Sequence, residues 1–74
     1  MAKQDKVTVR NKITLEKSEL DGKIEKLTRF ILSVPFTELS RQQTLAMERQ
    51  LEGMRIYSVA LRDRIIDITK QESE

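Results

Sequence analysis

No cysteine, histidine or tryptophan occurs in the 74 residues of this chain, which also holds a single proline, a single tyrosine and two glycines. Without cysteine there is no disulfide and no thiol nucleophile. Without histidine, the most frequent general base near neutral pH and the commonest metal ligand are missing together. Neither a metal nor a cofactor is expected, and with no Gly-rich phosphate loop or paired-carboxylate motif an enzyme is not expected either. A run of roughly 18 apolar residues, the length that spans a bilayer, is absent as well. The polar opening MAKQDK followed by VTVR lacks the apolar centre of a signal peptide. These absences lead to the expectation of a soluble protein in a reducing cytoplasm that does not act on a membrane.

What the chain does hold is charge of both signs. Charged residues make up 35% of it, 14 basic against 12 acidic, for a net charge of +2. Interspersed charge with little glycine or proline is the composition of helical and coiled-coil-like proteins. It argues against binding duplex nucleic acid, because a recognition helix concentrates Lys and Arg without an equal stock of carboxylates. A chain this short forms one small domain with a marginal core, and such domains are stabilised by disulfides, by metal or by self-association. Only the last is open here.

The expected fold class is all-α: an antiparallel helical hairpin, preceded by a short N-terminal arm or helix and assembled into a symmetric homo-oligomer. Residues 1–10 are the arm, with Val7 and Val9 alternating around Thr8, either extended or a first helical turn. Residues 11–33 are the first helix, with its seam at Ile13, Leu20, Ile24, Leu27 and Ile31. Gly22 costs this helix roughly 1 kcal/mol relative to Ala, or allows another backbone close. Pro35 pushes Val34 out of helical geometry, so the helix ends near Ser33. Residues 34–40 turn the chain, with Phe36 and Leu39 plugging the open end of the hairpin. Ser40 and Gln43 have capping-box spacing, and Thr37 is the competing N-cap. Residues 41–68 are the second helix, and residues 69–74 are expected to fray because they carry no apolar anchor.

The second helix is apolar on two sides. Met47, Leu51, Met54, Leu61, Ile65 and Ile68 form one continuous stripe. Leu45, Ile56, Val59 and Ile66 fall roughly 120 to 200° away at about 100° per residue. A hairpin covers one of these faces, so Ile56, Val59 and Ile66 are expected at a subunit interface. Ala46, Gly53 and Ala60, spaced by seven, are expected there too, as small residues that let helices approach closely or line a slot for a flat ligand. Tyr57 and Arg64, with Gln50, edge this row. Glu48 with Glu52, and Asp63 with Asp67, stand four apart, as a cation site or as ordinary ion-pairing surface.

ELDGKIEKLTRFI (Glu19 to Ile31), PFTEL (Pro35 to Leu39) and QLEGMRIYSVALRDRI (Gln50 to Ile65) together resemble a family of very small phage helical-hairpin proteins related to those of crAss-like gut phages. These are similar to the hairpin domain of anti-CBASS and anti-Thoeris sponge proteins. The resemblance covers about two thirds of the chain. In the N-terminal arm the chain departs from the sponge pattern, with Val7, Val9 and Arg10 where the sponge proteins carry an aromatic. It implies a closed oligomer, favouring a hexamer, that holds a cyclic nucleotide immune messenger between subunits without cleaving it, inside the host bacterial cytoplasm. Such a ligand needs cationic donors for phosphates and flat groups for bases. The candidates are Tyr57, Arg64, Arg10, Lys26, Arg29 and Arg62, with Arg10 and Lys26 reaching in from a neighbouring subunit. Each cation reads equally as a solvated or ion-paired surface residue, and Tyr57 as a core-edge residue with its hydroxyl in water.

Three functions are therefore weighed. The first is a phage anti-defence sponge for a cyclic oligonucleotide or cyclic ADP-ribose-type messenger. The second is an inhibitor or adaptor that docks a host protein through Ile56, Val59 and Ile66. The third is a structural oligomer or a nucleic-acid accessory factor. A stable closed assembly separates the first from the second.

Overall fold

The computed structural model describes residues 6–33 and 38–73. Two helices, α1 (Lys6–Ser33) and α2 (Arg41–Ser73), pack against each other as an antiparallel hairpin about 54 Å long and 20 Å across. No helix among the described residues is long and apolar enough to cross a membrane.

The seam forms where the apolar spacing places it. Ile13, Leu20, Leu51 and Leu61 are buried, and Val9, Ile24, Met54, Ile65 and Ile68 pack around this core. Leu27, Ile31 and Met47 on the same stripes are half-buried. Helix α1 is described to Ser33, whose hydroxyl donates to the Phe30 carbonyl oxygen at 3.0 Å. At the start of α2 the Gln43 N–H donates to Ser40 Oγ at 3.1 Å, which satisfies one orphan amide of the first turn. Thr37, Phe36, Val34 and Pro35 lie outside the described residues; Leu39 is half-buried.

Both ends of the hairpin differ from the sequence-based boundaries. Helix α1 starts at Lys6 rather than near Asn11, so of the two forms expected for the arm Val7, Thr8, Val9 and Arg10 take the helical one, continuous with the first helix. Helix α2 runs through Thr69 to Ser73 rather than stopping at Ile68. The physical reason is one cross-helix anchor. Val9 packs against the core of Ile13, Leu20 and Leu61, and Arg10 forms an ion pair with Glu72 that is largely screened from solvent. A polar anchor holds the last turn where no apolar one exists, since charge-assisted bonds are the stronger kind.

A second polar contact interrupts the core. Ser58 is buried on the seam of α2, and its hydroxyl donates to Asp21 Oδ1 at 2.6 Å, while Lys17 Nζ donates to Asp21 Oδ2 at 2.7 Å. An aliphatic seam alone tolerates sliding by a heptad; a buried hydroxyl that finds its acceptor at one register only does not. The Lys17 and Ser58 bonds hold the Asp21 carboxyl below its ordinary value of 3.8. A depressed folded-state pKa stabilises the fold above the unfolded value and loses that contribution as pH falls through the folded one. Wild type should therefore lose part of its advantage over Asp21→Asn on acidification from about pH 4 downward. Thermal melts of both proteins across that range check this, and parallel curves would contradict it.

Neither glycine serves close packing within the hairpin. Both have ordinary helical backbone, and an added Cβ at Gly22 or Gly53 would meet nothing within 4 Å. Gly22→Ala should raise stability by about 1 kcal/mol through helix propensity. Denaturant unfolding measures it. No gain would mean that another chain approaches Gly22 in solution.

Candidate functional site

The face of α2 opposite its seam stays bare. Leu45, Ile56, Val59 and Ile66 are all exposed, Ile56 to 64%. The small residues Ala46, Gly53 and Ala60 are exposed as well. An open concavity of about 320 Å³ at the start of α2, lined by Leu39, Arg41, Thr44, Leu45 and Glu48, adjoins this face through Leu45. These residues are exposed because a two-helix seam is one layer thick: each helix can turn only one stripe toward the other.

The cations sort by ion pairing. Arg10 is held by Glu72, Arg29 by Glu25 four residues earlier, and Arg62 by Asp63, Nη2 to Oδ1 at 3.2 Å. In each case a carboxylate already occupies the guanidinium. Arg62 and Arg29 form exposed pairs worth roughly 0–1 kcal/mol, which a phosphate could displace. The Arg10 pair is more enclosed and joins the two helix ends, so its first role is structural. Lys26 and Arg64 make no ion pair among the described residues, and both are exposed.

Tyr57 is 46% exposed. It stands seven residues before Arg64, so two turns of helix put both side chains on one flank of α2, about 10 Å apart along the axis. Gln50 continues the row seven residues earlier. The flank thus presents an amide, a phenol and a guanidinium in line beside the small residues. This arrangement can hydrogen-bond, stack and neutralise negative charge; it holds no general base and nucleophile in contact. The carboxylates at Asp63 and Asp67 are turned to protein partners, Asp63 to Arg62 and Asp67 to the Gln71 amide at 2.9 Å. No cluster of potential metal ligands occurs among the described residues.

Sequence reasoning did not single out Ser58, Asp21 or Glu72. Ser58 was legible in principle, since it continues the spacing of Leu51, Met54 and Leu61 and is the one polar residue in that run. Glu72 carried no such signal.

A family model described as Sequestin matches residues 8–67, from near the start of α1 to Asp67 in α2. No curated protein and no solved structure matches the chain.

Proposed function

The chain belongs to the Sequestin family, and from that premise we propose that it acts by sequestration, as a phage anti-defence sponge. In this reading it binds a cyclic nucleotide immune messenger, of cyclic oligonucleotide or cyclic ADP-ribose type, and holds it intact in the host bacterial cytoplasm. No catalytic step is part of the proposal. The observation that carries it is the exposed row of Tyr57 and Arg64, with Lys26 also unpaired: a flat ring and free cations on a surface with no competing carboxylate bonded to them. Phosphates find donors there and bases find a plane.

Self-association belongs to the same proposal. The chain exposes 6112 Å², against about 4,700 Å² expected for a compact monomer of its mass. The excess, roughly 1,400 Å² on one chain, exceeds the roughly 800 Å² that each partner buries in a standard specific interface. A symmetric homo-oligomer, a hexamer on the resemblance, would cover Ile56, Val59 and Ile66 and bring sites of neighbouring chains together. The alternative reading, an inhibitor that docks a host protein, uses the same apolar face and predicts a monomer in solution.

The test is a thermal-shift screen of the purified protein against cyclic di- and trinucleotides and cyclic ADP-ribose isomers, followed by recovery of the ligand after denaturation. A ligand that binds only the folded state at a hundred times its Kd stabilises by about 2.7 kcal/mol. Stabilisation with chemically unchanged ligand released is the expected result. A ligand returned cleaved would overturn sequestration, and no shift with any of them would favour the protein-docking alternative.

A further inference from the structure

The register of the hairpin places a second aromatic on the flank that carries Tyr57. Ser58 sits opposite Asp21 and Glu72 opposite Arg10, so each step forward on α1 matches a step back on α2. By the Ser58–Asp21 contact Phe30 is level with Gln50 to within one residue, as are Lys23 with Tyr57 and Glu16 with Arg64. Each set recurs every seven residues along its own helix, and all six side chains are exposed. In an antiparallel pair of right-handed helices, the flanks reached by turning in the same sense from the two seams lie on the same broad face. Both rows lie on flanks turned in that common sense, so they adjoin. The hairpin therefore carries three level pairs on one face, about 10 Å apart along it: a ring beside an amide, an ammonium beside a phenol, and a carboxylate beside a guanidinium.

This deepens the sequestration reading and rests on it. We propose that Phe30 is a base-stacking position of the ligand site, with Gln50 hydrogen-bonding the edge of the base and Lys23 beside Tyr57 binding phosphate. Phe30 is 46% exposed, as is Tyr57. A bare ring next to a two-way hydrogen-bonding amide suits a nucleobase, which offers a π-face and a polar edge together. Lys23 forms no ion pair among the described residues, unlike Lys17 on the other flank of α1, which is bonded to Asp21. At the far pair Glu16 stands beside Arg64, and on α1 Glu19 stands four residues before Lys23, but neither Lys23 nor Lys26 is ion-paired among the described residues. Both helices of one chain thus contribute to the site.

The experiment titrates wild type, Phe30→Ala, Phe30→Tyr and Lys23→Gln with cyclic di-AMP, cyclic GMP–AMP and cyclic ADP-ribose, and with inorganic pyrophosphate as a probe without a base. Solution mass and helicity are measured for each variant. Phe30→Ala should bind the nucleotide probe that wild type binds about tenfold more weakly. It should keep its mass and its pyrophosphate affinity, and Phe30→Tyr should restore binding. Lys23→Gln should weaken pyrophosphate and nucleotide alike. Unchanged nucleotide affinity in Phe30→Ala would overturn the inference and leave sequestration standing. A fall in mass on removing the ring would assign Phe30 to a subunit contact and overturn it equally. Failure of wild type to bind any of the cyclic probes would overturn both readings.

Discussion

Leu61→Ala should cost about 2–5 kcal/mol, the range for emptying a fully buried leucine site. Leu61 is 1% exposed and is the one large side chain so completely enclosed among the described residues. It forms one buried cluster with Ile13 and Leu20 of α1, against which Met54, Ile65 and Ile68 of its own helix pack. A two-helix seam has no second layer to collapse into the vacated space. At roughly 0.05–0.15 kcal/mol per residue, the loss is a large part of the whole stability of a chain this small. Helicity followed through a urea titration will show it as a large fall in midpoint with little change in slope. Leu61→Met, which conserves volume, should cost less than about 1.5 kcal/mol. A loss under about 1 kcal/mol in Leu61→Ala would place the stabilising contacts in the subunit interface rather than in the hairpin.

Ile56→Asp or Val59→Asp should dissociate the proposed assembly and leave the hairpin helical. Each side chain is exposed in the single chain, so a carboxylate there is solvated and harmless to the fold. In an interface the same change forfeits about 1.5–3 kcal/mol of apolar burial per site. It also buries a charge with no partner, which costs several kcal/mol more. Symmetry repeats the penalty at every subunit contact, so one substitution per chain acts many times per assembly. Light scattering gives the mass, and circular dichroism shows whether the helices survive. Retention of the full mass would move the contact to another surface. Gly53→Ala distinguishes finer geometry: it should strengthen the isolated helix, while a close approach of chains along Ala46, Gly53 and Ala60 would make it weaken the assembly.

The seam was legible because helix periodicity is a local property. Ile13, Leu20, Leu51 and Leu61 recur at spacings that leave one side of each helix to bury, and a proline with a downstream serine cap marks the turn. The bare face of Ile56, Val59 and Ile66 followed from the same count. The helix ends did not. Apart from Val9, Lys6 to Arg10 and Thr69 to Ser73 carry no seam residue, and it is Val9 and the Arg10–Glu72 pair that tie one end of the chain to the other. Sequence distance hides that contact: Arg10 and Glu72 are 62 residues apart.

For the site, the residues themselves specified which chemistry is available: one phenol, many cations, no histidine and no cysteine. A wheel projection also placed Tyr57 beside Arg64. It could not say which cations are already occupied, because Arg10, Arg29 and Arg62 find their carboxylates through side-chain reach in three dimensions. Nor could it bring Phe30 level with Gln50. That depends on the register between the helices, and an aliphatic seam repeating every seven residues leaves register open to slippage by whole heptads. Here Ser58 settles it by donating to Asp21, a bond that exists only when two helices meet at one offset.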